Sequence, residues 1–157
     1  MEKKRRSLLK VTSVFINIAV VGFIMMFIGS LLTAIFNPED ANVGRVWFYV
    51  TALSVILLIL FILYMLKLIV RTVSENNPFV ERNIHRFRLI GYATFMIGLL
   101  DAIANFPGHS GMDFFAVPSG SIKAATLLYI VVGFLALLMA EIFAAAREIK
   151  LENDMTV

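Results

Sequence analysis

The chain has 157 residues, of which 60 % are hydrophobic and only 16 % charged, with a net charge of +3 and no cysteine. A soluble domain of this size carries about 25 % charged residues, and this chain lacks the polar side chains to cover such a globule. The composition therefore points to a chain in lipid and excludes disulfides and thiolate metal sites. The basic residues flank apolar segments and form no aromatic-interleaved patch, so direct nucleic-acid binding is not expected.

A basic leader, Glu2-Lys3-Lys4-Arg5-Arg6, precedes an apolar run over Val11–Phe36. That run exceeds the ~7–15 apolar residues of a secretory signal and is followed by no small-residue cleavage pattern. It reads as an uncleaved first membrane helix, ended by Asn37-Pro38-Glu39-Asp40. The second helix is expected over Val46–Val70, opening on Trp47-Phe48-Tyr49 at a headgroup boundary. The third spans Leu89–Phe106, before Pro107-Gly108. The fourth spans Ile122–Ala146, after Pro118-Ser119-Gly120 with Ser121 as N-cap candidate. Each run matches or approaches the ~20 residues that cross ~30 Å of hydrocarbon. The expected fold is an all-α, four-helix membrane bundle in a single domain.

Lys and Arg set its orientation. With the N-terminus inside, the inner set is Lys3, Lys4, Arg5, Arg6, Lys10, Lys67, Arg71, Arg82, Arg86, Arg88, Arg147 and Lys150, and the outer set is Arg45 and Lys123. Twelve against two predicts both termini in the cytoplasm. Residues 71–88 then form an inner loop and 147–157 a cytoplasmic tail.

The inner loop is the most informative connection. Asn76-Asn77-Pro78 should break helix 2 and can restart a helix, with Asn77 as N-cap and Pro78 at its first position. Phe79, Val80, Ile84 and Phe87 can share one side, with Arg82, His85 and Arg86 on others. This predicts a short basic amphipathic helix on the inner membrane surface. It serves either as a topology anchor or as a docking surface for a cytoplasmic partner or anionic lipid. Neither an internal repeat nor a low-complexity segment is evident.

A charge within a membrane helix needs a partner or a purpose, and Lys67, Asp101 and Glu141 are the three candidates. Gly91, Thr94, Gly98, Asp101 and Asn105 recur at spacings of three and four and form one stripe on helix 3. Asp101 reads first as a hydrogen-bonded anchor near the outer boundary, against the alternative of a protonatable site in an ion or substrate path. Helix 4 carries Ala136, Ala140 and Ala144, with Gly133 nearby. Glu141, beside that stripe, is expected to pair with Lys67 or Arg71. Asn17 is expected to hydrogen-bond between helices. Either small-residue stripe could instead join two copies of the chain.

The search for chemistry returns little. His85 and His109 belong to no metal-ligand spacing, and no phosphate loop, dinucleotide fingerprint or nucleophile elbow is present. Gly108-His109-Ser110-Gly111-Met112-Asp113 reads as a solvated turn, since neighbours in one loop rarely reach triad geometry. The expectation is a protein that is not an enzyme, without cofactor or metal.

Two segments carry a family resemblance. Asn77-Pro78-Phe79 followed by Asn83, Arg86, Arg88, Ile90 and Gly91, and the C-terminal Ala140-Glu141-Ile142-Phe143 with Leu151-Glu152-Asn153-Asp154-Met155-Thr156-Val157, resemble DUF2975, small bacterial membrane proteins of unknown function. The resemblance extends over nearly the whole chain, with Met155 where the family usually has leucine. Family genes often lie beside those of small helix-turn-helix regulators. This implies a regulatory module of the bacterial cytoplasmic membrane that binds such a DNA-binding partner in the cytoplasm. The implied surface is Asn77, Pro78, Phe79, Arg82, Asn83, Arg86 and Arg88, with Glu152, Asp154, Thr156 and Val157 of the tail. The competing reading is a small transporter, exporter subunit or immunity-type protein using Asp101, Asn105 and Glu141.

Overall fold

The computed structural model describes residues 2–36, 43–75, 77–106 and 112–155. Its elements in chain order are α1 (Glu2–Phe36), α2 (Val43–Ser74), α3 (Glu81–Asn105), β1 (Asp113–Val117), β2 (Gly120–Lys123) and α4 (Ala124–Met155). Four helices are long and apolar enough to cross a membrane, over Leu9–Thr33, Val46–Ser74, Glu81–Asn105 and Ala124–Met155. Even α3, at 25 residues, reaches about 37 Å at ~1.5 Å per residue. Such segments satisfy their own backbone polar groups, the condition hydrocarbon imposes. Hydroxyls inside them donate back to preceding carbonyls, as Thr51 does to Trp47 O (2.8 Å) and Thr94 to Ile90 O (2.8 Å).

The helices pack as neighbours in chain order: α1 on α2, α2 on α3, and α3 most closely on α4. Small residues explain the closest pair. Gly91 lies so near α4 that a Cβ there would stand 2.7 Å from Leu137 Cδ2 and 3.1 Å from Gly133 O. One at Gly98 would stand 3.1 Å from Tyr129 Cβ. The two small-residue stripes read from the sequence are thus spent on each other within one chain. On α4, Gly133, Ala136 and Ala140 are buried, and so is Thr126. A core of Ile69, Ile90 and Ala136, with Met65, Val73 and Phe87 around it, joins α2, α3 and α4. By contrast α1 is peripheral: among its described side chains only Ile16 is buried. Exposed apolar side chains such as Phe15, Met25, Phe134 and Leu138 form the outward face. Contiguous apolar surface of this extent suits lipid, not water.

Several boundaries differ from expectation. The short amphipathic helix is not a separate element: Arg82, Ile84, His85, Arg86 and Phe87 lie in the first two turns of the continuous helix Glu81–Asn105, and Phe79 and Val80 precede it. Asn77 is not its N-cap either. The cap position is Val80 (φ −82°, ψ 145°), with no side-chain cap. The tail is helical as far as Met155. The connection between α3 and α4 contains an antiparallel hairpin, β1 on β2, in which Val117 faces Gly120 across Pro118-Ser119. Ser121 therefore lies in a strand and does not cap α4. Asn76, Thr156, Val157 and the Gly108–Gly111 part of the predicted solvated turn lie outside the described residues.

Candidate functional site

The N-terminus of α1, the C-terminus of α2, the N-terminus of α3 and the C-terminus of α4 meet at one end of the molecule. There the inner-loop residues converge, but largely on one another. Asn83, in the first turn of α3, is completely buried. Its amide nitrogen donates to Thr72 Oγ1 (2.7 Å) and to Pro78 O (2.8 Å). Its Oδ1 accepts from Arg86 Nη1 (2.8 Å), and the same guanidinium nitrogen donates to Leu68 O (3.1 Å). A buried amide can use every one of these groups only if α2, the 77–80 turn and α3 hold one relative position. Asn83 and Arg86 thus form a latch. It explains why the helix restarts at Glu81: the Asn83 amide holds Pro78 O, and the Asn83 N–H closes the turn on Val80 O (2.9 Å).

The next layer ties α3 to α4. Arg88 Nη2 donates to Glu141 Oε1 at 3.0 Å, and Arg147 Nη2 pairs with Glu81 Oε2 at 3.2 Å. Phe143 receives both Phe79 and Phe87, with ring centroids 5.5 and 4.9 Å away, distances favourable for tilted aromatic contacts. Glu141 therefore pairs neither with Lys67 nor with Arg71. The reason is placement: α4 packs on α3, whereas Lys67 lies on the exposed side of α2 toward α1. Arg71 instead meets Glu75 one turn along its own helix at 3.1 Å.

Of the residues expected to meet a partner, Asn83 is buried and Arg86, Arg88 and Phe79 are committed to intramolecular contacts. Arg82 and Asn77 are exposed, and Pro78 is half-buried. Arg82 and His85 border a groove of about 450 Å³ with Met65, Leu68, Glu81 and Leu89. Glu152 and Asp154 are exposed on the last turns of α4. The sequence reading missed the continuation of α4: Leu151 and Met155 extend the stripe Ala136, Ala140, Ala144 and Arg147 at helical spacing. That periodicity was available as a signal.

At the opposite end the polar residues of α3 are also engaged. Asp101 Oδ1 accepts from Asn105 Nδ2 (2.8 Å) and Oδ2 from Thr126 Oγ1 (2.6 Å). Asn105 Oδ1 in turn accepts from Lys123 Nζ (3.3 Å). The hairpin is seated by Ser121, whose Oγ donates to Asp113 Oδ1 (2.8 Å) and whose N–H donates to Phe106 O (2.9 Å). With both Asp101 oxygens bonded inside the protein, an anchoring role accounts for its position. Asn17 bonds to no other helix among the described residues; it is exposed on α1 beside Val14, Ile18 and Val21. No group of three His, Asp or Glu among the described residues is placed to hold a metal.

Comparison with curated proteins and with solved structures found no match. A family model, DUF2975, described as a protein of unknown function, matches residues 33–157. The match takes in α2, the latch, α3, the hairpin and α4, and leaves nearly all of α1 outside. By this match the chain belongs to the DUF2975 family.

Proposed function

We propose that this chain is a non-enzymatic, multi-pass protein of the bacterial cytoplasmic membrane that presents the end of α4 to a cytoplasmic regulator. The latch end, with both termini, faces the cytoplasm in this reading. Support for that orientation comes from charge: twelve of the fourteen Lys and Arg residues belong to helix ends and connections on the latch side.

The observation that carries the reading is an overhang. Arg147 pairs with Glu81, the first residue of α3, so the two helical turns after it pass the end of α3 by about 12 Å at ~1.5 Å per residue. Leu151 and Met155 lie on the face that packs against α3 further up, yet they are 49 % and 79 % exposed. Glu152 and Asp154 flank them. An apolar strip with an acidic rim on a projecting helix suits insertion into a groove of a partner. The partner class, a small helix-turn-helix regulator, rests on the family resemblance. In this arrangement the latch supplies rigidity and the overhang supplies contact.

The test is co-purification of this chain, in detergent, with a small helix-turn-helix regulator from its own source. Leu151→Asp with Met155→Asp is expected to release the regulator while leaving the chain in the membrane, since both side chains are exposed. Undiminished recovery of the regulator with that double variant contradicts the proposal.

A further inference from the structure

A second feature of the latch end lies on α1 and α2, away from the contacts just described. The two helices part to leave a cleft of about 730 Å³. Lys10 enters its lining from α1, and Lys67 and Arg71, one turn apart, from α2. Among the described residues Glu75 is the one acid bonded to any of these cations, through an Arg71 side chain that is 76 % exposed. An exposed pair of this kind contributes little, and Lys10 and Lys67 form no ion pair with another described residue. Ser13 and Tyr64 add hydroxyls to the same walls. Three cations held around one opening repel each other, and the arrangement becomes favourable when an anion lies between them.

The apolar wall identifies what kind of anion. From Lys10, the face of α1 continues through Val14, Asn17 and Val21, at spacings of four, three and four. With Ile18 these residues border a shallow groove of about 310 Å³. A basic mouth thus opens onto an apolar track along the same helix face. Lys67 lies seven residues before the end of α2, about 10 Å along the axis, where a lysine extends its ammonium toward the headgroup layer.

We propose that the α1–α2 cleft is a binding site for an acidic phospholipid. Lys10, Lys67 and Arg71 hold the phosphate, and one acyl chain follows Val14 and Val21. Arg71 suits bidentate contact with phosphate oxygens, whereas the two lysines act as mobile point charges. A free phosphate shares the headgroup chemistry but has nothing to place on the apolar track. The site is independent of the overhang on α4.

The full chain is reconstituted in nanodiscs of phosphatidylcholine alone or with 20–30 % phosphatidylglycerol, and retained lipid is counted by native mass spectrometry after mild delipidation. The wild type is expected to retain phosphatidylglycerol preferentially. Each cation removed should reduce that preference about fivefold, the order expected for one basic residue at an anionic surface. Lys67→Gln with Arg71→Gln should therefore reduce it about 25-fold, and Lys10→Gln, on the other helix, about fivefold. The charge-retaining exchange Lys67→Arg with Arg71→Lys should keep most of it. Lys150→Gln, exposed at the latch end but outside the cleft, should leave it unchanged. Equal retention by the wild type and the charge-removing variants overturns the proposal. So does displacement of the lipid by millimolar inorganic phosphate, which would assign the cleft to a free anion.

Discussion

Asn83 bonds to two other segments of the chain at once, through Thr72 Oγ1 and Pro78 O, and also braces Arg86. Replacing it with leucine keeps much of the volume but takes a partner from three half-buried groups, the Thr72 hydroxyl, the Pro78 carbonyl and the Arg86 guanidinium. Of these, the hydroxyl and the guanidinium keep bonds to Ile69 O and Leu68 O. A group left with no partner costs about 1–3 kcal/mol, and one that keeps a bond costs less. Allowing for partial relaxation, Asn83→Leu should lower stability by about 2–4 kcal/mol, measured as a loss of thermal stability in detergent. Asp101 makes a different test. An asparagine there can still accept from Asn105 and can pair with the Thr126 hydroxyl, so Asp101→Asn should change stability by less than about 1 kcal/mol. Asp101→Leu removes both partnerships and should cost about 2–4 kcal/mol. A loss from Asp101→Asn as large as that from Asp101→Leu would contradict a hydrogen-bonding role and show that the negative charge itself holds the contact.

Among the elements, α3 and α4 meet through glycine. At Gly91 an added methyl meets the movable end of Leu137 but also the fixed carbonyl of Gly133, so the helices must separate to admit it. Gly91→Ala should destabilise by about 1–3 kcal/mol in the same thermal measurement. The pairing across this interface can be separated from its alternatives by double-mutant cycles. Arg88→Met and Glu141→Gln should be non-additive by about 0.5 kcal/mol or more. Lys67→Met and Glu141→Gln should add, because their side chains do not meet. Legibility in the sequence follows from the same local physics. Hydropathy and the spacing of Gly91, Thr94, Gly98 and Asp101 made the membrane-length helices and the facing stripe readable, since both are periodic features of one segment. The partner of Glu141 was not readable, because it depends on which helix lies next to α4, and Lys67 and Arg88 are equivalent until that order is known. The hairpin was obscured because Phe114, Phe115 and Val117 form a short apolar run without clear alternation. Its Pro118-Ser119-Gly120 turn was a usable signal that was read only as a loop before a cap. The inner-loop residues stand out in the sequence by charge and by the Asn77-Pro78 break, features that do not say what their side chains bond to. Only the tertiary structure reveals that Asn83 and Arg86 are occupied by their own chain.

At the scale of the whole molecule, three tasks fall to different parts of the fold. The four long apolar helices suit lipid, and the latch fixes the adjoining ends of α2 and α3. The Arg88–Glu141 and Arg147–Glu81 pairs add α4, and in the proposed reading the α4 overhang and the α1–α2 cleft meet ligands. The proposed contact with a cytoplasmic regulator depends on the latch end lying in the cytoplasm. The absence of cysteine makes that orientation directly measurable with single-cysteine variants and a membrane-impermeant maleimide. Arg82→Cys and Glu152→Cys are exposed at the latch end, and Ser119→Cys is exposed at the hairpin turn. In intact spheroplasts Ser119→Cys should label, and the other two should label only after the membrane is permeabilised. Labelling of Arg82→Cys or Glu152→Cys in intact spheroplasts, with Ser119→Cys protected, would contradict the account.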